Sequence, residues 1–317
     1  MFELIGVSPQ ALFGQLLLGL INGAFYALLS LGLAVIFGLM NVINFTHGAQ
    51  YMMGAFCAWM LLNGIDVPIP QFMEGGWIPV GVSFTHIDIG ISYWGALLLA
   101  PILVGITGVI VERLFISRLY HLDHLYGLLL TFGLALVLEG LFRRQYGVSG
   151  LPYSNPLPGG TNLGFMFLPW YRAWVVAISL AICLATWFLI EKTKLGSYLR
   201  AATERPDLVR AFGINVPRMI TLTYGFGVGL AAFGGVLAAP IYSVNPVMGS
   251  NLIIVVFAVV VIGGMGSIMG SIVTGFGLGI LEGLTKVFYP EASNTVIFVI
   301  MAIVLILRPQ GLFGTPR

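Results

Sequence analysis

The chain has 317 residues, 58% of them hydrophobic and 8% charged, with a mean hydropathy of +0.99; soluble domains run at roughly 45–50% apolar and 25% charged. This composition excludes a soluble enzyme or a soluble binding module and indicates an integral membrane protein. The formal net charge of +2 gives no argument for a nucleic-acid partner, because the basic residues gather in loops beside apolar spans.

Residues 4–65 and 219–281 hold no Asp, Glu, Lys or Arg. At about 1.5 Å per residue, each block can cross a hydrocarbon core of about 30 Å more than once. The apolar runs are continuous rather than alternating, which predicts an all-α, polytopic transmembrane helical bundle with short or broken helices, and not a barrel. Glu3 in place of a basic leader, and the length of the first apolar stretch, argue against a cleaved signal.

Residues 11–40 form the first expected span. Gly19 and Gly23 stand at GxxxG spacing, which admits a close neighbour, and the length permits a tilt or a break near Gly38. Residues 41–62 are polar at the start and apolar at the end, a second crossing with an unusual entrance. Asn41, Asn44, His47 and Tyr51 fall close to one helical face, with Thr46 and Gln50 nearby. Polar groups in a bilayer face protein or a watery path. These residues therefore either line part of a solute route or hold broken helix ends together. His47 has no second ligand at useful spacing, so no metal site is assigned.

Residues 63–91 carry Pro68, Pro70 and Pro79, with Asp66, Glu74 and Asp88 but no Lys or Arg, and read as an outer loop. A span at 92–112 leads to an inner loop with Arg113, Arg118, His121 and His124. A further crossing covers 125–142, and the Pro-, Gly- and aromatic-rich segment 145–172 reads as an outer loop against the interface. Residues 173–190 return the chain to 192–218, which holds six of the 14 Lys and Arg residues. There Glu204 and Asp207 interleave with Arg205 and Arg210, Pro206 suits the first turn of a short helix, and Leu208, Ala211 and Phe212 form an apolar stripe that Gly213 ends. These residues alone allow a folded cytoplasmic loop or a plain basic loop that fixes topology.

From 219 the chain crosses outward to about Pro240, turns, and returns through a β-branched run. The block 263–283 has GxxxG spacings at 266/270, 275/279 and 279/283. Gly266, Gly270, Gly275 and Gly279 are therefore read as helix-packing positions, with a broken-helix gate as the alternative. Segments near 272–286 and 294–308 bring Arg308 and Arg317 to the inner side. The sum is eight or nine crossings in one domain over 1–317. Cys57 and Cys183 lie inside apolar spans as packing residues. Glu139 and Glu282 are read as the only carboxylates within apolar spans, paired at i,i+4 with Arg143 and Lys286. There is no HExxH, G-x-S-x-G or P-loop, so neither a catalytic residue nor a bound cofactor is assigned.

Four stretches carry a resemblance: GLINGAFYALLSLGLAVIFGLMNVINFTHGAQYMMGAF with its INF-x-HG segment, LRAATERPDLVRAFGIN, VVIGGMGSIMGSIVTGFGLGILEGL and ILRPQGLFG. In type and order, from about residue 17 to 314, they resemble the LivH/LivM-type permeases of branched-chain amino acid ABC importers. The resemblance implies an inner-membrane subunit of a bacterial importer, paired as a heterodimer with a second, related permease. It further implies two cytoplasmic ATPase subunits, which use ATP and Mg, and a periplasmic solute-binding protein. Ala201, Ala202, Glu204 and Gly213 match the family's cytoplasmic coupling loop. Pro206 to Phe212 would then be the helix that docks on the ATPase, with Arg205, Asp207 and Ala211 at the contact and Leu208 and Phe212 as its anchors. Branched-chain or related hydrophobic amino acids are the implied cargo, with urea, short amides or aromatic acids as alternatives. An ion-gradient-driven secondary transporter is the competing class. The outer segment 64–91 is longer than in the simplest members, which leaves the subfamily and the solute open.

Overall fold

The computed structural model describes residues 8–40, 43–72, 79–120 and 122–314; Asn41, Glu74, His121 and Arg317 lie outside them. In chain order the elements are α1 (Pro9–Met40), α2 (Thr46–Asn63), β1 (Ile65–Phe72), β2 (Pro79–Ile87), α3 (Tyr93–Leu114), α4 (His124–Tyr146), β3 (Gly160–Asn162) and β4 (Phe167–Pro169). They continue with α5 (Trp170–Lys192), α6 (Lys194–Glu204), α7 (Pro206–Ala211), α8 (Val216–Ala238), α9 (Met248–Gly263), α10 (Ile268–Phe288) and α11 (Val296–Leu307). Among the described residues six helices, α1, α3, α4, α5, α8 and α10, are long and apolar enough to cross a membrane, and α9 and α11 are shorter apolar helices. The protein is a helical, polytopic membrane protein.

Burial separates a centre from a periphery. The apolar stretch of α1 is 83% buried and that of α8 72%, against 6% for α4. Leu129, Phe132, Leu136 and Val137 of α4 are exposed, as side chains facing acyl chains or another subunit must be.

The centre is held by small residues that let backbones touch. α1 and α10 run past each other in opposite directions along a stripe of glycine and alanine. A Cβ on Gly19 would lie 2.5 Å from the carbonyl oxygen of Gly279, and one on Gly275 would lie 2.5 Å from Cα of Ala27. A Cβ on Gly279 would overlap Gly23, so Gly19 and Gly23 face the GxxxG spacings of α10. At the far end a Cβ on Gly38 would lie 2.7 Å from Cα of Gly266. Of the tilt or break that the length permits near Gly38, no break occurs: α1 continues to Met40, and Gly38 serves this contact. Gly270 packs against Gly263, where the chain turns from α9 into α10.

The outer loop expected at 63–91 contains an antiparallel hairpin, in which Ile65 pairs with Ile87 and Thr85 with Val67. Pro68 and Pro70 lie on β1, a strand paired on one side, where proline is tolerated. The outer loop expected at 145–172 is narrower, running over 147–169 between α4 and α5; it carries the short hairpin β3–β4 and is tied to the α8–α9 turn by a bridge between Leu151 and Val244. The C-terminal RPQGLFG stretch folds back on α9. Leu312 N–H donates to the Ile262 carbonyl (2.8 Å) and Phe313 N–H to that of Gly263 (3.1 Å). The tail thus satisfies carbonyls that a helix end otherwise leaves open.

Candidate functional site

Residues 194–214 fold into a two-helix module at the C-terminal end of α5. Gly196 lies so close to the last turn of α5 that a Cβ would overlap the Ile190 carbonyl. Nη1 of Arg200 donates to that same carbonyl (3.2 Å) and pairs with Glu191 (3.4 Å). Ala202, Val209 and Val216 make a small buried cluster, with Ile214, Met219 and Ile220 packed on it. The module is therefore fixed to α5 on one side and to the start of α8 on the other.

α7 is short, yet it is closed at its C-terminal end. Gly213 has φ 81°, its N–H donates to Arg210 O (2.9 Å), and Ile214 N–H reaches back to Val209 O (3.4 Å). That pair of bonds, with Ile214 packed on Val209, is a Schellman closure that favours glycine at the left-handed position. Val209 turns inward, while Leu208 and Phe212 are 53% and 84% exposed. Tyr198, Ala201, Glu204, Arg205, Leu208 and Phe212 border a groove of about 720 Å³. Asp207 pairs with Arg210 at 3.4 Å, and Ala211 and Gly213 are exposed beside them. Thus Leu208, Ala211 and Phe212 do share an outward edge, whereas the inward contact is made by Val209, which the stripe omitted.

The second expected cluster is split by the fold. Asn41 is outside the described residues. Asn44, Thr46 and His47 are buried in contacts between helices. Oγ1 of Thr46 donates to Thr131 O of α4 (2.9 Å), His47 Nε2 lies 3.0 Å from Leu29 O of α1, and Asn44 Nδ2 donates to Gln50 Oε1 (3.4 Å). Gln50 in turn donates to Tyr224 OH (3.3 Å), which joins α2 to α8. Tyr51 instead borders a cavity of about 240 Å³ between α1, α2 and the α8–α9 turn, where Asn22, Tyr26, Tyr242, Asn245 and Asn251 also converge.

Of the carboxylate pairs, Glu139–Arg143 (2.6 Å) and Glu282–Lys286 are formed. Glu139 also accepts from Ser250 Oγ (3.1 Å), and Glu282 accepts from Tyr26 OH (2.7 Å). A third carboxylate escaped the sequence reading. Glu112, at the end of the span read at 92–112, lies in the last turn of α3 and is 2% exposed. It accepts from Tyr120 OH and from Thr221 Oγ1, both at 2.7 Å, and so joins the end of α3 to the start of α8 beside the module. Burial, with the hydrogen bond to Glu112, pushes the Tyr120 phenol up and keeps it a donor. Glu112 is the last residue of the span read at 92–112 and passes there as a residue of the span's end. The cavity residues gave no signal, because Asn22, Tyr242, Asn245 and Asn251 come from separate segments. Among the described residues no group of His, Cys, Asp and Glu could hold a metal ion.

The family model described as "Branched-chain amino acid transport system / permease component" matches residues 15–305. The chain is 27% identical over 310 residues to the high-affinity branched-chain amino acid transport system permease protein LivH of Escherichia coli K12, covering 96% of each chain. It is 26% identical, again over 96% of each, to the corresponding permease BraD of Pseudomonas aeruginosa. Identity to the ribose import permease RbsC of E. coli K12 is 24%, over 75% of each chain. No solved structure matches the chain.

Proposed function

The chain belongs to the permease-component family of branched-chain amino acid transport systems, and on that premise we propose that it forms one half of the membrane pore of an ATP-driven importer. As a single permease domain over 1–317, crossing eight or nine times, it would sit in a bacterial inner membrane beside a second, homologous permease. Two cytoplasmic ATPase subunits would supply ATP and Mg chemistry, and a periplasmic binding protein would deliver branched-chain or related hydrophobic amino acids. The permease itself binds no cofactor in this reading.

What supports the coupling role is the outward Leu208–Phe212 edge on a module otherwise fixed to α5 and α8. Apolar side chains exposed in an aqueous loop are costly to leave unpaired and suit a docking partner. Ala201, Ala202, Glu204, Arg205, Asp207, Leu208, Ala211, Phe212 and Gly213 are proposed as this ATPase-coupling surface. A force on α7 would pass through Val209 and Val216 to α8 and through Gly196 and Arg200 to α5. Asn41, Asn44, Thr46, His47 and Tyr51 are proposed to shape the solute route near the start of α2. Gly266, Gly270, Gly275 and Gly279 hold the helices around it at close range.

Sidedness tests this. In inside-out vesicles carrying the permease without its ATPase subunits, a membrane-impermeant maleimide should label Leu208→Cys, and right-side-out vesicles should stay unlabelled. The native Cys57 and Cys183 are buried and give little background. Labelling from the outer face would overturn the coupling role.

A further inference from the structure

Glu112 is a buried carboxylate, and among the described residues no Lys, Arg or His forms an ion pair with it. An apolar side chain of similar size would fill the space at least as well, since a buried carboxylate gives up its water. What the carboxylate adds is direction: its two bonds of 2.7 Å, from Tyr120 OH and Thr221 Oγ1, hold two separate segments in register. Thr221 stands on α8 shortly after Val216, which packs in the module's own cluster. Tyr120 lies in the link that leads from α3 into α4. α4 in turn holds the start of α2, where Thr46 Oγ1 donates to Thr131 O (2.9 Å) and Phe45 N–H donates to Thr131 Oγ1 (3.2 Å). Further along, α3 and α8 meet through glycine: a Cβ on Gly105 would lie 3.1 Å from the carbonyl oxygen of Gly225. That seam is close, yet among the described residues the hydrogen bond from Thr221 to Glu112 is the one that ties α3 directly to α8.

Resting on the permease reading, we propose that Glu112 is a positioning residue for transport: its carboxylate makes α3, and through Tyr120 the start of α4, travel with α8 when the module moves. A displacement at α7 then reaches the start of α2, which meets α9 at Gly48 and Gly249, by way of α4 as well as by the direct bond from Gln50 to Tyr224. With an apolar side chain at 112, α8 slides along the glycine seam and leaves α3 and α4 behind. The direct bond to α2 remains, so coupling is weakened and not abolished.

The test uses the complete transporter in proteoliposomes and reads solute imported per ATP hydrolysed. Glu112→Leu and Thr221→Val should lower that ratio by roughly 2- to 30-fold, while Glu112→Gln, which keeps one acceptor, should stay closer to wild type. A second measurement places spin labels on Leu114→Cys and Leu222→Cys, both exposed. Their separation should be the same in the nucleotide-free and vanadate-trapped states of the otherwise wild-type protein, and should differ between those states once Thr221→Val is added. A merely structural role would lower the melting temperature and leave both readouts at wild-type values, and that result overturns the proposal. If Glu112→Leu fails to assemble, Thr221→Val decides, because it keeps the β-branched shape and removes only the donor. Absence of ATP-driven import by the wild type counts against the permease reading itself. Import by the wild type with an unchanged ratio in the variants counts against Glu112 alone.

Discussion

Gly48 and Gly249 bring the first turns of α2 and α9 into backbone contact: a Cβ on Gly48 would lie 2.6 Å from the carbonyl oxygen of Gly249, and one on Gly249 would overlap the Gly48 carbonyl. Two short helices therefore begin at one point in the middle of the fold, with Tyr51 and Asn245 close by on the cavity wall. A methyl group here cannot be absorbed by a flexible side chain. Gly249→Ala should destabilise by about 1–3 kcal/mol through overpacking, seen as a lower melting temperature of the solubilised protein. An unchanged melting temperature would show that the two helix starts are not in contact.

The α1–α10 stripe supplies its own control. Gly279→Ala should cost about 1–3 kcal/mol because the new Cβ overlaps Gly23. Gly277 lies on the same helix, and a Cβ added there would meet nothing within 4 Å. Gly277→Ala should be neutral, or stabilising by up to about 1 kcal/mol from helix propensity. Equal melting temperatures for the two variants would contradict this packing.

Glu112 should tolerate an isostere better than an apolar replacement. Glu112→Leu leaves the Tyr120 hydroxyl without its acceptor, at about 1–3 kcal/mol for a buried group, while the Thr221 hydroxyl can turn to the Pro217 carbonyl at 3.0 Å. Glu112→Gln keeps one carbonyl acceptor and should lose less. Thermal unfolding of both variants would separate them; equal losses would mean that the carboxylate is not what joins α3 to α8.

Gly213→Ala forces a side chain into the left-handed region, at about 1–2 kcal/mol. Because the closure is local, the cost should appear as faster proteolysis between Arg205 and Arg218 with normal insertion. Gly213→Asn should be milder, since asparagine adopts this conformation more readily. Cleavage at the wild-type rate in Gly213→Ala would show that the turn carries no strain.

Long elements were legible in the sequence and fine placement was not. Continuous apolar runs mark α1, α8 and α10 because nothing else in a bilayer satisfies so many backbone groups, and Gly213 marks the end of α7 by its conformation. Facing was harder: α7 has six residues, too few turns for a stripe to say that Val209 points in while Leu208 points out. Asn44 and His47 read equally well as route or as glue, since both uses need buried polar groups; only the partners Leu29, Gln50 and Tyr224 distinguish the contacts they make. The cavity had no local pattern at all. Its amides lie in α1, the α8–α9 turn and α9, and are brought together by packing that leaves no periodicity behind.

The central claim is that α7 is the handle by which ATP hydrolysis moves the bundle, and it is tested most directly by measuring uptake and ATP hydrolysis on the same proteoliposomes for Leu208→Ala and Phe212→Ala. Both variants should assemble and keep basal ATP hydrolysis, while solute uptake falls by roughly tenfold or more, as expected for loss of an interface anchor. Wild-type uptake in both variants would contradict the account.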